Sequence, residues 1–511
     1  MKEKRNSSLK LNFVMNALLT MTSFIFPLIT FPYVSRILLP TGTGKVSFAT
    51  SVVSYFALFA QMGIPYYGIR VCAKVRDDKK KLTKTAQELL IINIVMAVIS
   101  YGIFLVTLFC VPQFRNEKEL FIVVSFTIFF QAIGMEWLYK ALELYKYITI
   151  RSILFKFVAL VAMFLLVQKK SDYIIYGGIT IFAASASNIL NFLNVRKYIS
   201  LRPVGKYQFR PHLKAVIVFF AMSCATTIYT HLDTVMLGFM TTDIDVGYYN
   251  AAIKIKYILV SIVTSLGVVL LPRASYYVQR GQMNEFYRIT KKAINFVMLV
   301  ATPMMVYFIL FAKEGILFLS GSDYEGAILP MQIIMPTLLL IGLTNIMGIQ
   351  ILVPLGKERI VLYSEIAGAV IDLILNLILI PHMASAGAAI GTLTAELVVW
   401  IVQFVALKDK VLEAYQKVRY LPVLVAVGVS AILSYQIKSL DLNMFFTLCL
   451  SAMIFGCSYL LVLNLFKEKL ILEIETQFFS KIGNILKRKS IEKNKIICKN
   501  SLGFQHTGIV F

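Results

Sequence analysis

The chain has 511 residues, 58% of them hydrophobic and only 15% charged, with a mean hydropathy of +0.75. Soluble proteins carry roughly 25% charged residues, so soluble, disordered, collagen-like and coiled-coil readings are excluded, and six cysteines are too sparse for a secreted disulfide scaffold. The formal net charge of +24 is read as the Lys/Arg-rich cytoplasmic loops of a polytopic membrane protein, not as a nucleic-acid surface.

A helix that crosses a bilayer needs about 20 apolar residues. Fourteen such stretches lie near 12–34, 45–64, 87–111, 119–139, 150–168, 173–194, 215–238, 248–271, 294–312, 327–353, 360–380, 386–407, 421–438 and 442–466; they are numbered here as spans 1 to 14. The first is too long for the h-region of a cleavable signal and has no small-residue cleavage site. Span 1 carries Asn12, Asn16, Thr20 and Ser23, with Pro27 and Pro32 able to kink it, and Arg36 closes it. Span 2 adds Ser47, Ser51, Ser54 and Gln61, and Glu136 and Lys140 end span 4.

Cations gather in alternate loops. Lys74, Arg76, Lys79, Lys80, Lys81 and Lys84 precede span 3; Arg196, Lys197, Arg202, Lys206, Arg210 and Lys214 precede span 7; Arg273, Arg280, Arg288, Lys291 and Lys292 precede span 9. The 239–247 loop has Asp243, Asp245 and no cation. Positive-inside asymmetry then places both termini in the cytoplasm, as an even number of spans requires.

Ionisable residues inside spans mark bundle interiors or cavities. Span 7 carries His231 and Asp233; span 8 carries Asn250, Lys254, Tyr257, Ser261 and Ser265 on one stripe. Asp233 and Lys254 lie at similar depth from the short 7–8 hairpin, which suits an ion pair; the alternative is that Lys254 snorkels to the surface, as Lys256 on another face is expected to do. Span 11 places Glu365, Gly368, Asp372 and Asn376 on one helical face, opposite Ile366, Val370, Leu373 and Leu377. That face reads either as a cavity wall that takes a proton or cation, or as a helix-packing hydrogen-bond network.

An internal repeat is visible. Gly44-Lys-Val-Ser-Phe-Ala49 opens span 2 and Gly247-Tyr-Tyr-Asn-Ala-Ala252 opens span 8; residues 146–152 before span 5 match 357–364 before span 11. Spans 1–6 thereby map onto 7–12 in the same orientation, a transporter architecture. The expected fold is all-α and polytopic, with lobes at 1–214 (spans 1–6) and 215–410 (spans 7–12), spans 13–14 at 411–466, and a basic tail at 467–511. In that tail Ile471, Ile474, Phe478, Ile482 and Ile485 make an amphipathic stripe suited to the inner membrane surface.

Enzyme signals are weak. The four histidines show no metal-ligand spacing and the cysteines form no CxxC. Gly42-Thr-Gly44-Lys45 is not a phosphate loop, because Leu39 stands where Walker A needs Gly. No cofactor and no metal are expected, and no ATP-binding domain is read, so an ion gradient or the substrate's own gradient must drive transport.

Several stretches carry a family likeness: Arg36-Ile-Leu-Leu-Pro-Thr-Gly-Thr-Gly-Lys-Val-Ser-Phe-Ala49 with Gly63-Ile-Pro-Tyr-Tyr-Gly-Ile-Arg70; Gly134-Met-Glu-Trp-Leu-Tyr139; Leu232-Asp-Thr-Val-Met-Leu-Gly238 with Val246-Gly-Tyr-Tyr-Asn-Ala-Ala252; Leu271-Pro-Arg273; and Gln350-Ile-Leu-Val-Pro-Leu-Gly-Lys357 with Asn376 and Gly387-Ala-Ala-Ile-Gly-Thr392. Over about residues 10–405 the chain resembles the Wzx-type polysaccharide flippases of the multidrug/oligosaccharidyl-lipid/polysaccharide exporter superfamily. It departs from that pattern at Leu39, where Gly often stands, and at Ala384-Ser385, where an aromatic-Gly pair is usual.

The resemblance implies two six-helix, MATE-like lobes around a central cavity, plus two peripheral spans. It implies flipping of undecaprenyl-diphosphate-linked oligosaccharide repeat units between leaflets of the bacterial cytoplasmic membrane, with H+ or Na+ as the coupling ion and a polysaccharide polymerase as a partner. Arg36 and Lys254 are the candidate diphosphate ligands; Asp233, Glu365, Asp372 and Asn376 are the candidate ion-coupling or cavity-lining residues. A MATE-type multidrug antiporter is the rival transporter, argued against by spans 13 and 14. A membrane glycan polymerase or ligase is the rival enzyme, argued against by the short outer loops.

Overall fold

The computed structural model describes residues 9–416, 419–473 and 475–476. The described residues form helices joined by short turns, with no strand among them. Hydrocarbon offers no partner for backbone N–H and C=O groups, and helices satisfy these groups internally. The outward faces are apolar: Val98, Phe109, Leu165, Leu421 and Leu465 are between 63% and 73% exposed. In water such a surface would aggregate; in a bilayer it is solvated. The chain is a multi-pass membrane protein.

Helix covers all fourteen apolar stretches. Ten helices are long and apolar enough to cross a membrane, or eleven if the bent pair Ser322–Ile334 plus Thr337–Leu352 is one span. Fourteen spans are compatible with this, because two helices are double. Leu9–Gln61 (53 residues) holds spans 1 and 2 and Glu358–Gln416 (59 residues) holds spans 11 and 12, each broken at a single non-helical residue. Span 4, Lys118–Gly134, is only 17 residues long.

The two breaks are Leu39 (φ 58) and Ala384 (φ 45). They fall at the two departures from the family pattern. Positive φ is costly for any residue with a Cβ and free for Gly, which accounts for the glycine usual at residue 39. The stretch between spans 1 and 2 is therefore a kink within one helix.

Three hydrophobic clusters divide the molecule. One joins the two halves of the chain: Phe31, Val34 and Leu38 of span 1 pack with Val246, Tyr249 and Ile255 of span 8 and with Tyr324. The other two lie toward the basic end. Ile64, Leu89, Trp137 and Val195 belong to one, which also takes in Val216 at the start of span 7, and Val263, Phe286, Met347 and Leu407 to the other. The halves thus share one core at the end opposite the Lys/Arg-rich loops, called here the far end. Toward the basic end each has a core of its own, and the start of span 7 packs on the first half through Val216 and where Gly63 meets the Phe219–Phe220 backbone.

Glycine makes the far-end joint. A methyl group on Gly44 would overlap the Asp243 carbonyl and lie 3.0 Å from the Gly247 nitrogen; one on Gly247 would overlap the Pro40 carbonyl. The two glycines that mark the repeat therefore face each other, backbone to backbone. Thr43 Oγ1 and Tyr324 OH hydrogen-bond beside them at 2.8 Å.

Spans 13 and 14 pack on span 9 through Tyr307, Val423, Phe455 and Tyr459, with Tyr307 OH donating to the Leu448 carbonyl (2.9 Å) and Tyr459 OH to the Leu299 carbonyl (2.9 Å). Leu470 and Ile471 lean on the same cluster. The remaining residues of the amphipathic stripe, Ile474, Phe478, Ile482 and Ile485, lie outside the described residues.

In a background without other reactive cysteines, a cysteine at Thr43, which is 1% exposed, is expected to resist a membrane-impermeant maleimide. Gly44→Val or Gly247→Val is expected to make it reactive. Equal protection in both valine variants would mean that the close approach does not seal the far end.

Candidate functional site

Asp233 is the centre of a buried polar cluster in the second half. It is 6% exposed, and its carboxylate accepts from three side chains on three other spans. These are Asn376 Nδ2 of span 11 (2.6 Å), Thr392 Oγ1 of span 12 (2.7 Å) and the Tyr249 hydroxyl of span 8. Tyr249 OH and Thr392 Oγ1 also contact each other at 2.8 Å. A lone buried carboxylate would be prohibitive; one with three donors is not.

Oxygen is nonetheless in excess. Asp372, 1% exposed, lies beside Asp233, and its Oδ1 meets no donor; neither does Asn376 Oδ1. Span 12 leaves room for both because residue 391 is Gly: a Cβ there would stand 2.5 Å from Asn376 Oδ1 and 2.9 Å from Asp372 Oδ1. Asp372 Oδ1 and Asn376 Oδ1, open beside the Asp233 carboxylate, suit a proton or a small hard cation. Lys256 is 5% exposed and within electrostatic reach of Asp233, Asp372 and Glu396, yet among the described residues it makes no ion pair within 4 Å.

The sequence-derived candidates separate. Asp233, Asp372 and Asn376 come together where span 11 packs on spans 7 and 12. Glu365 is half-buried nearer the basic end, and Glu396 is its nearest acidic neighbour. The Asp233–Lys254 ion pair is not made. Lys254 instead lies over the Phe31 ring of span 1, 3.7 Å from its centroid, directly under the far-end joint. The reason is azimuth. At about 100° per residue, Lys254 stands roughly 140° round span 8 from Tyr249, which is the residue that faces Asp233. Lys256, seven residues from Tyr249, returns to the Tyr249 face and is buried there; it does not snorkel.

Arg36 is exposed at the far end and caps a helix C-terminus: its guanidinium donates to the carbonyls of Pro32 (2.5 Å), Leu319 (3.4 Å) and Phe318. In span 1, Thr20 and Ser23 donate to carbonyls one turn back (both 3.0 Å), and Lys156 of span 5 reaches Ser23 Oγ at 2.9 Å. Tyr249, Lys256, Gly391, Thr392 and Glu396 were missed as site residues by sequence reasoning. The available signals were a second mid-span acid, Glu396, one turn after Thr392, and the Gly-Thr pair at 391–392.

Between the halves runs a cleft of about 370 Å³. Ser54, Gln61 and Tyr66 line it from the first half, and Ser223, Thr227 and His231 from span 7. His231 Nδ1 is held by Ser51 Oγ at 3.1 Å. Asp233 is two residues from His231, so one short stretch of span 7 touches both the cleft and the acid cluster.

Asp233→Ala removes an acceptor from three donors and is expected to cost about 3 kcal/mol of stability in detergent, while Lys254→Ala changes stability little. The double variant should equal the sum within about 0.5 kcal/mol. Recovery of stability in the double variant would indicate a charge pair after all.

Similarity to known proteins agrees with this architecture. A polysaccharide biosynthesis protein family model matches residues 9–278, and a MatE family model matches 219–378. A putative O-antigen transporter of Escherichia coli (strain K12) is 27% identical over 397 residues, 77% of this chain and 95% of that one. Among solved structures, the lipid II flippase MurJ in an inward closed conformation aligns with a TM-score of 0.70 at 15% identity, covering 90% of this chain and all of that one. An inward-facing multidrug resistance MATE family transporter of the MOP superfamily aligns with a TM-score of 0.62 at 15% identity, over 80% and 99% of the two chains.

Proposed function

The chain belongs to the polysaccharide biosynthesis protein family, and on that premise we propose that it is a flippase: a transporter, not an enzyme, that moves undecaprenyl-diphosphate-linked oligosaccharide repeat units from the inner to the outer leaflet of a bacterial cytoplasmic membrane. The observation that carries this reading is the polar cleft between two halves that share a core at the far end and keep a core each toward the basic end, with Lys254, which makes no ion pair among the described residues, beneath the joint. A diphosphate and its sugars cannot cross hydrocarbon unaided. A wet cleft that opens to one side at a time solves that problem, while the polyprenyl tail stays in the bilayer.

In this reading the lobes are 1–214 and 215–410, the basic end is cytoplasmic with both termini, and spans 13–14 are peripheral. Lys254 takes the diphosphate as a point charge from the cleft roof. Arg36 serves the far-end exit, where phosphate oxygens compete with the carbonyls of Phe318 and Leu319 for its guanidinium. The Asp233–Asp372–Asn376 cluster takes the coupling ion, H+ or Na+, with Glu365 and Glu396 on its route. The family resemblance of the C-terminal half to MatE keeps multidrug antiport as the second reading, since a buried acid cluster would serve either cargo.

Proteoliposomes decide between them. Protein-dependent exposure of undecaprenyl-diphosphate-linked oligosaccharide in the opposite leaflet is expected, accelerated by an imposed H+ or Na+ gradient. Asp233→Asn should abolish the response to the gradient. Lys254→Ala should slow flipping about tenfold, equivalent to about 1.4 kcal/mol, and Lys254→Arg should retain most of it. Cation-coupled efflux of ethidium without glycolipid flipping would overturn the assignment.

A further inference from the structure

The interlobe cleft has a side chamber in the first half, and its chemistry differs from that of the acid cluster. A cavity of about 250 Å³ lies against spans 3, 4 and 6 and shares Gln61, Pro65, Gln131 and Lys140 with the cleft. Together the two spaces fall in the size range of small-ligand sites, ~300–1,000 Å³.

Neutral hydrogen-bonding groups dominate the chamber wall: Gln61, Asn93, Gln131, Ser185 and Asn188, with Trp137 as its aromatic surface. Gln61 and Gln131 hydrogen-bond to each other. Whichever way round the two amides stand, that bond leaves one amide oxygen and further N–H groups for a ligand. Asn93 is 2% exposed; its Nδ2 donates to the Ala132 carbonyl at 2.8 Å, and its Oδ1 has no donor. A buried acceptor left open on a cavity wall calls for a ligand group or water.

The charges nearby are already largely matched. Arg151, 4% exposed, is fixed by the Ser187 carbonyl (2.9 Å), Asn188 Oδ1 (3.4 Å) and Glu136 (3.2 Å). Lys140 holds the other Glu136 oxygen at 2.8 Å. The trio keeps one surplus positive charge against a wall that is otherwise neutral.

Two backbone irregularities border the chamber. Span 4 ends at Met135 (φ 44), which redirects Glu136–Ala141, and span 6 has a π turn at Phe182–Ala186 that includes Ser185. Such turns are uncommon and occur frequently at functional sites.

We infer that this chamber is a carbohydrate subsite, which binds the sugar portion of the translocated glycolipid through paired amides and hydroxyls against the Trp137 face. The inference rests on the flippase reading above. Sugars present dense hydroxyls, each both donor and acceptor, together with apolar C–H faces, and this wall offers both complements. A diphosphate site would be built of cations, a prenyl site of aliphatic side chains, and a cationic-drug site of open carboxylates; the chamber is none of these. The same wall discriminates, because a buried amide left unpaired by an ill-fitting sugar costs binding.

Trp137 and Trp400 are the two tryptophans of the chain, and Trp400 stacks on Phe404 in the second half, so Trp400→Phe leaves Trp137 as sole emitter in the full-length protein. The probes are lipid-free oligosaccharide, released by mild acid from the lipid-linked pool of the producing cells, and inorganic diphosphate. The oligosaccharide should change Trp137 emission saturably and diphosphate should not; Gln131→Leu should raise the half-saturating concentration at least tenfold. In proteoliposomes, Gln131→Leu should slow glycolipid flipping at low substrate and leave the maximal rate within twofold. A response to diphosphate alone would make the chamber an anion site and overturn the inference. So would the absence of any oligosaccharide response in a protein that still flips the glycolipid, which leaves the flippase reading intact. Failure of the wild-type protein to flip the glycolipid would instead overturn that underlying reading.

Discussion

The rest of the structure depends on the backbone-to-backbone contact of Gly44 with Gly247. These residues begin repeat-related helices, one in each half, and each stands where a single methyl group would collide with the opposing backbone. Because the helices approach so closely there, span 1 can lay Phe31, Val34 and Leu38 against span 8, and one core can cross between the halves. Toward the basic end each half has a core of its own, and the start of span 7 closes on the first half, where Gly63 meets the Phe219–Phe220 backbone. The Gly44–Gly247 contact holds the halves together at the far end, and the polar cleft runs between them. Packing of this kind is bistable, not continuously deformable, so the contact is suited to be made or broken as a unit.

The two halves differ in their buried chemistry. The second half buries two carboxyls, an asparagine and their donors on four spans with almost no solvent contact. The first half keeps a chamber of amides and hydroxyls with its carboxylate already paired. The acid cluster shares short stretches of spans 7 and 8 with the cleft and the joint. Asp233 is two residues from His231 on the cleft wall, and Tyr249, its donor from span 8, is two residues from Gly247 at the joint. An ion that displaces the Tyr249 or Thr392 hydrogen bond acts directly on the helix that carries the seal.

Much of this was legible in the sequence. Hydropathy located every apolar helix, because burial in lipid demands an apolar run whatever the tertiary packing. Gly44 and Gly247 were visible as repeat markers, yet their contact was not, since a repeat says which positions are equivalent and not that they touch. Of the span 11 face, Asp372 and Asn376 meet Asp233 while Glu365 stands apart, and the other partners were not read: Tyr249 is distant in sequence and Gly391 and Thr392 belong to the next span, and all meet the face only through packing. Asp233 and Lys254 were matched by depth alone, and depth does not specify helical azimuth. The kinks at Leu39 and Ala384 replaced expected loops because residues without special turn chemistry are held there at positive φ by the surrounding structure.

The central claim is that the far end opens as the basic end closes, under control of the cargo and the ion. Pulsed electron paramagnetic resonance measures it most directly, with one pair of spin labels across the far end at the surface of spans 1 and 8 and a second pair across the basic end, in lipid nanodiscs. Addition of undecaprenyl-diphosphate-linked oligosaccharide with H+ or Na+ should populate a second state in which the far-end distance lengthens and the basic-end distance shortens together. A far-end distance that stays short and single while the same preparation flips glycolipid would contradict the account.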